Sequence, residues 1–189
     1  MLKKPRLLLH ICCAPDAIAA VPVLAKNFAV DGFFYNPNIT SDKEYAKRLT
    51  ATHKVAEQHR LHLVEGAYDP QKWRKKIRGL EREKEGGKRC AECFNMRLKA
   101  TAEAAKAGGY HLFATVLTNS PHKDYELINH IGRNLGNKYG ILYFRSAFGK
   151  RGGFKKSVEM SQQLGLYRQN YCGCEFSVRE KSGKREKIN

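Results

Sequence analysis

The chain has 189 residues, 42% of them hydrophobic, which is enough for one sizeable core and too little for two full domains. Its 35 Lys and Arg against 18 Asp and Glu leave a formal charge of +17, pointing to a polyanionic partner, nucleic acid first and an anionic membrane surface second. No apolar run is long enough to span a bilayer, no basic amphipathic anchor stands out, and the basic start is followed by too brief an apolar stretch for a signal peptide. A cytoplasmic protein with no membrane partner is therefore expected. In that reducing compartment six cysteines are metal ligands or redox thiols rather than structural disulfides.

Leu7-Leu8-Leu9-His10-Ile11 is a short apolar run, too short for a typical helix, and reads as a buried parallel strand ended by Pro15. A helix is expected over Ala17 to Phe28 with Pro22 as a kink, then a strand over Val30 to Tyr35 closed by Asn36-Pro37-Asn38. Ser41 and Glu44 form a capping-box pattern for a helix reaching His59, and Leu61 to Glu65 is the third strand. Residues Asp69 to Arg89 break this rhythm, with Trp73, Ile77 and Leu80 on one helical stripe. Helical spacing returns from Phe94 to Ala107 and stops at Gly108-Gly109. His111 to Val116 is a fourth strand, Ser120-Pro121 caps the next helix, Ile141 to Phe144 is a fifth strand, and Lys156 to Leu164 a short helix. The succession implies an α/β fold: one domain over residues 1–177 with a doubly wound, mostly parallel five-stranded sheet, a Cys-rich C-terminal segment, and a basic flexible tail over 178–189.

The six thiols fall into three tight pairs, Cys12-Cys13, Cys90-x-x-Cys93 and Cys172-x-Cys174, which scattered core cysteines would not do. Cys12 and Cys13 follow the first strand, where open α/β sheets place their ligand crevice. The second thiol of Cys90-x-x-Cys93 lies near a helix start, and Lys88 and Arg89 add positive charge, so thiolate is favoured there. Cys12, Cys13, Cys90 and Cys93 suit zinc or an iron-sulfur cluster equally by ligand type. Adjacent cysteines on an extended segment are expected to point apart, which leans toward a cluster or a cluster beside another metal. Cys172-Gly173-Cys174 reads as an electron-relay dithiol or as two further metal ligands. Asp16 is an oxygen ligand, a proton donor, or an ordinary helix-start residue. His10 reads as a satisfied core histidine, and the Ser120-Pro121-His122-Lys123 turn as a phosphate site or a plain cap.

The sheet resembles those of nucleotide-binding, HUP or Rossmann-like enzymes, yet neither a G-x-G-x-x-G nor a G-x-x-x-x-G-K-[ST] pattern is present, so ATP use has no support. Three blocks carry a closer resemblance. Leu8-Leu9-His10-Ile11-Cys12-Cys13-Ala14-Pro15, Glu85-Gly86-Gly87-Lys88-Arg89-Cys90-Ala91-Glu92-Cys93-Phe94 and Gly165-Leu166-Tyr167-Arg168-Gln169-Asn170-Tyr171-Cys172-Gly173-Cys174 resemble, in order and over almost the whole chain, the epoxyqueuosine reductase QueH family. The resemblance implies a tRNA-modifying oxidoreductase that performs the last step of queuosine biosynthesis. Epoxyqueuosine at the wobble position of tRNA is deoxygenated without cobalamin, using a 4Fe-4S cluster and an adjacent mononuclear iron. It also implies that Cys12, Cys13, Cys90 and Cys93 hold the metal centre, and that Cys172 with Cys174 forms a redox-active disulfide fed by an unidentified electron donor. In many members of that family the position of Asp16 is a cysteine; aspartate here implies an oxygen ligand to the adjacent iron.

An anticodon-loop substrate accounts for the charge. Lys72, Arg74, Lys75, Lys76, Lys150, Arg151, Lys155 and Lys156 are candidates for backbone contacts along with Arg168, and Tyr167 or Tyr171 for stacking on a splayed-out base. The competing readings are a non-catalytic, zinc-stabilised RNA-binding module and a tRNA sulfur-transfer enzyme, the latter disfavoured by the missing phosphate loop.

Overall fold

The structure, a computed structural model, describes residues 3–177; the tail expected over 178–189 lies outside them. Strand β1 (Arg6–Ile11) is the middle of the sheet, paired in parallel with β2 (Ala29–Phe34) on one side and β4 (Leu112–Thr115) on the other. Strands β3 (Leu63–Glu65) and β5 (Leu142–Tyr143) complete an all-parallel sheet in the order β3-β2-β1-β4-β5. The expected α/β class and doubly wound sheet are therefore present. A strand with parallel neighbours on both sides is covered by helices on both faces. Leu7 through Ile11 are accordingly buried without alternation.

The helices are α1 (Ala14–Leu24), α2 (Asp42–His59), α3 (Pro70–Lys76), α4 (Lys88–Ala107), α5 (Tyr125–Tyr139) and α6 (Gly153–Gln163). Helix α1 packs against α2 and α6, and α4 packs against α5 and α3, giving a layer on each face of the sheet. Chain connections leave β1 toward β2 and leave β4 toward β5. The topological switch, and with it the ligand crevice, lies at the carboxyl ends of β1 and β4.

Several element boundaries differ from expectation for identifiable reasons. Pro15 lies in the first turn of α1, which begins at Ala14, instead of separating helix from strand, because a proline there forfeits no hydrogen bond; the helix then ends at Leu24, short of Phe28. Helix α4 starts at Lys88, before the cysteines. The Glu83 carboxylate accepts from the Lys88 N–H at 3.1 Å and so caps the helix from five residues upstream. Asp124, not Ser120, caps α5, accepting from the N–H groups of Glu126 and Leu127 at 3.0 Å each. At the start of α2 only half of the capping box forms. Ser41 accepts from the Glu44 N–H, while the Glu44 carboxylate turns inward to Arg48 and Tyr167.

Candidate metal centre

The chain passes from β1 to α1 through Cys12 and Cys13, and the reversal brings the two thiols together. Their sulfur atoms lie 3.8 Å apart, contrary to the expectation that neighbouring side chains diverge, because Cys13 is already the N-cap of α1 and not part of a continuing strand. The Cys12 Sγ is also 3.2 Å from Asp16 Oδ2. Asp16 sits in the first turn of α1, and its other oxygen accepts from Asn119 Nδ2 at 2.7 Å. Asn119 is itself held by Ser157 Oγ at 3.1 Å and comes from the 3-10 turn Val116–Asn119 that follows β4. The ligand atoms of Cys12, Cys13 and Asp16 all lie within 4.8 Å of one another, and all three residues are buried. The hydrogen bond from Cys12, aided by Arg48 and Gln169, draws the Cys13 thiol down, while Cys12 is held up by its bond to Cys13 and by burial.

The second group adjoins the first. Cys90 and Cys93 stand one turn apart in the first two turns of α4, and with Cys172 and Cys174 they line a narrow cavity walled by Trp73, Arg89 and Phe94. Burial pushes the Cys93 thiol up to about 12 and raises Cys90 and Cys174, so desolvation outweighs the helix-start and basic-neighbour effects expected from the sequence. Arg89 explains part of this. Its Nη1 donates to the carbonyls of Leu80, Glu81 and Glu83, closing the loop before α4, so one arm of the guanidinium is committed to the backbone although its charge still reaches Cys90 and Cys174. Cys174 Sγ reaches Ser177 Oγ at 3.4 Å, and Cys172 also lines the pocket that holds Cys12 and Asp16. Cys172 is thus the wall shared by both groups.

That pocket encloses about 290 Å³ at the switch point, bounded by Cys12, Asp16, Lys123, Phe154, Arg168 and Tyr171 among others. Two cations act on these groups: Lys123, from the turn read as a phosphate site or a cap, lines the pocket, and Arg97, which the sequence analysis did not single out, lies behind the thiols. Burial alone would lower the Lys123 ammonium, but the field of Cys172, Cys12, Asp16 and Cys13 raises it. Arg97 is 1% exposed, donates to Asn36 Oδ1 at 2.6 Å, and faces Cys93, Cys12 and Cys172 electrostatically. Arg97 lies on an α4 face shared with Cys93, Cys90 and Phe94 at helical spacing, the signal that could have found it.

The remaining sequence candidates separate. His10 is a satisfied core residue, bonded to Thr115 Oγ1 at 2.9 Å and the Tyr35 carbonyl at 3.2 Å. Lys75 and Lys76 line a groove between α3 and α4 with Lys72, Lys99 and Lys138, and Lys76 pairs with Glu92 at 2.8 Å. Lys150, Arg151 and Lys156 line another groove beside Phe144 and Phe148. Of the two stacking candidates, Tyr171 lines the pocket, whereas Tyr167 donates to Glu44 Oε2 at 2.6 Å and acts as an internal brace. Arg168 lines the pocket and reaches the Ser157 carbonyl and Ser161 Oγ.

Among the described residues no helix is long and apolar enough to cross a membrane. The fold is similar to that of the U34-tRNA thiolase NcsA from Methanococcus maripaludis with its [4Fe-4S] cluster, at a TM-score of 0.61 and 13% identity, over 94% of this chain and 63% of that one. It therefore spans less than two thirds of the thiolase. A predicted subunit of tRNA methyltransferase from Methanocaldococcus jannaschii shares the fold at a TM-score of 0.53 and 14% identity, over 83% of this chain and 76% of that one. In sequence the chain is 38% identical over 185 residues to the epoxyqueuosine reductase QueH of Thermotoga maritima, covering 96% of this chain and 95% of that protein. It is 37% identical over 199 residues to that of Staphylococcus epidermidis, covering 99% and 82%. The family model for epoxyqueuosine reductase QueH matches residues 7–180, and the chain belongs to that family.

Proposed function

We propose that this protein reduces epoxyqueuosine to queuosine at the wobble position of tRNA, with Cys12, Cys13, Cys90 and Cys93 holding a 4Fe-4S cluster. Asp16 joins the adjoining thiols as ligand to a neighbouring iron, and Cys172 with Cys174 is the redox dithiol. The observation that carries this reading is the meeting of seven soft or anionic ligands, from three distant stretches, around adjoining cavities at the switch point of the sheet. The cavity donors fit such a group. Trp73 Nε1, Arg89 Nε and Arg97 Nε are buried without a hydrogen-bond partner, and N–H donors beside thiolates suit a sulfur-rich anion. Bound iron of this kind supplies single electrons and Lewis acidity, both of which the removal of an epoxide oxygen requires.

The chain's own residues do the rest. Asn119 fixes the orientation of the Asp16 carboxylate at the pocket wall. Lys123 sets a cation where negative charge develops on the departing oxygen, and Tyr171 offers an aromatic edge to the base. Two electrons and two protons enter per turnover, one water leaves, and the alkene remains. Electrons return through Cys172 and Cys174 from a donor still to be identified. The basic grooves carrying Lys75 and Lys76, and Lys150, Arg151 and Lys156, hold the tRNA backbone.

The test is anaerobic incubation of the iron-loaded protein with epoxyqueuosine-containing tRNA, followed by nucleoside analysis. A brown protein that forms queuosine is expected. A colourless protein with stoichiometric zinc and no product would instead make the chain a zinc-stabilised RNA-binding module.

A further inference from the structure

A buried ion pair on α2 reaches across to the dithiol. Glu44 and Arg48 are 8% and 2% exposed, and Arg48 Nε donates to Glu44 Oε1 at 2.7 Å. The two remaining arms of the guanidinium leave the helix altogether. Nη1 donates to the Cys172 carbonyl at 2.8 Å and Nη2 to the Tyr171 carbonyl at 3.2 Å, while the guanidinium lies 5.2 Å from the centre of the Tyr171 ring. The Glu44 oxygen left over accepts from Tyr167 OH. On the far side, the Thr40 N–H donates to the Gly173 carbonyl at 3.3 Å. Gly173 has φ +118, and a Cβ there would stand 3.0 Å from Ile39 Cγ1 and 3.1 Å from Arg48 Nη1. The segment from Tyr167 to Gly173 is thus pinned to α2 at Tyr167, Tyr171 and Cys172, and to Thr40 in the turn before α2 at Gly173.

A buried pair of this kind contributes little net stability, because desolvation offsets the attraction; its use lies in geometry. Only arginine presents a planar fork able to take a carboxylate and two successive carbonyls at once. Those carbonyls flank the bond that sets the direction of the Cys172 side chain.

We propose that Arg48, braced by Glu44, is a positioning residue that holds Cys172-Gly173-Cys174 in its open dithiol form, with Cys172 in the wall between the two cavities. The proposal rests on the reading of Cys172 and Cys174 as the redox pair. Both thiols are free in the clamped arrangement. Releasing the clamp removes interactions made by the dithiol form and so favours ring closure. The reaction is two thiols plus glutathione disulfide giving the Cys172–Cys174 disulfide and two glutathione thiols, with both protons passing to glutathione.

The experiment equilibrates the full-length, metal-free protein with glutathione buffers of graded ratio and measures the Cys172–Cys174 disulfide by peptide mass mapping, with Tm recorded in parallel. Arg48→Gln should move the equilibrium constant about tenfold toward the disulfide, the loss of charge-assisted hydrogen bonds to one state. Arg48→Lys, which can still reach one carbonyl, should move it by less. Glu44→Gln keeps the guanidinium and removes its brace; a shift in the same direction supports the clamp even if Arg48→Gln does not fold. A wild-type disulfide whose constant stays within twofold in every folded variant overturns the clamp alone. Failure of the wild type to form that disulfide at any ratio overturns the dithiol reading and the clamp with it.

Discussion

The two thiol groups are built in opposite ways. Cys12, Cys13 and Asp16 come from five consecutive residues at a strand-to-helix junction, and Asp16 has both oxygens engaged, by Cys12 and Asn119. Cys90, Cys93, Cys172 and Cys174 come from stretches some eighty positions apart, and among the described residues Trp73 Nε1, Arg89 Nε and Arg97 Nε beside them have no oxygen or nitrogen partner, Trp73 and Arg97 facing the Cys93 sulfur. The first group is preformed by local geometry. The second is assembled only by tertiary structure.

The contrast can be broken by substitution. Cys90→Ala and Cys93→Ala should each abolish the visible absorption of the anaerobic protein and lower turnover by more than about a hundredfold, since a ligand matters more than its supporting partners; an unchanged spectrum removes these residues from the ligand set. Cys172→Ser combined with Cys174→Ser should allow no more than one product per enzyme. Sustained turnover would eliminate the relay. Asn119→Ala leaves every thiol in place but releases Asp16, so iron bound beyond the cluster should weaken by about 10- to 100-fold, as measured by chelator competition.

The fold was largely legible because β1 is a continuous apolar run and strand and helix patterns alternate down the chain. Cys12, Cys13 and Asp16 were legible as neighbours at the end of β1, but not the meeting of the two thiols, which depends on Cys13 already being the N-cap of α1. Arg48 and Glu44 were not, since a charged pair four residues apart reads as a solvated helix face. The signal was the spacing itself. Glu44, Arg48, Thr52 and Ala56 continue one buried stripe at intervals of four, and all four are buried. The start of α4 was missed because its cap is Glu83, and the bracing role of Tyr167 because its partner lies 123 residues away.

Smaller effects sharpen the same contrast. Gly173→Ala should cost about 1–3 kcal/mol in thermal unfolding, from the positive φ and the contact with Arg48, and should loosen only the second group. Smallest of all, Lys150→Gln or Arg151→Gln should each reduce the salt slope of tRNA binding by about 1 and leave both thiol groups untouched; a slope that does not change removes that residue from the phosphate contacts.

The central place of β1 has a consequence for how this molecule comes apart. Its amides are locked between β2 and β4, so deuterium should enter the strand leading into Cys12 only when the sheet opens as a whole. The Tyr167-to-Cys174 ribbon is held by side-chain and single backbone hydrogen bonds rather than by a strand ladder, and should peel away while the sheet stays shut. Heat or mild denaturant should therefore strip the thiols of Cys172 and Cys174 from the centre first, leaving Cys12 and Cys13 as the last remnant of the site.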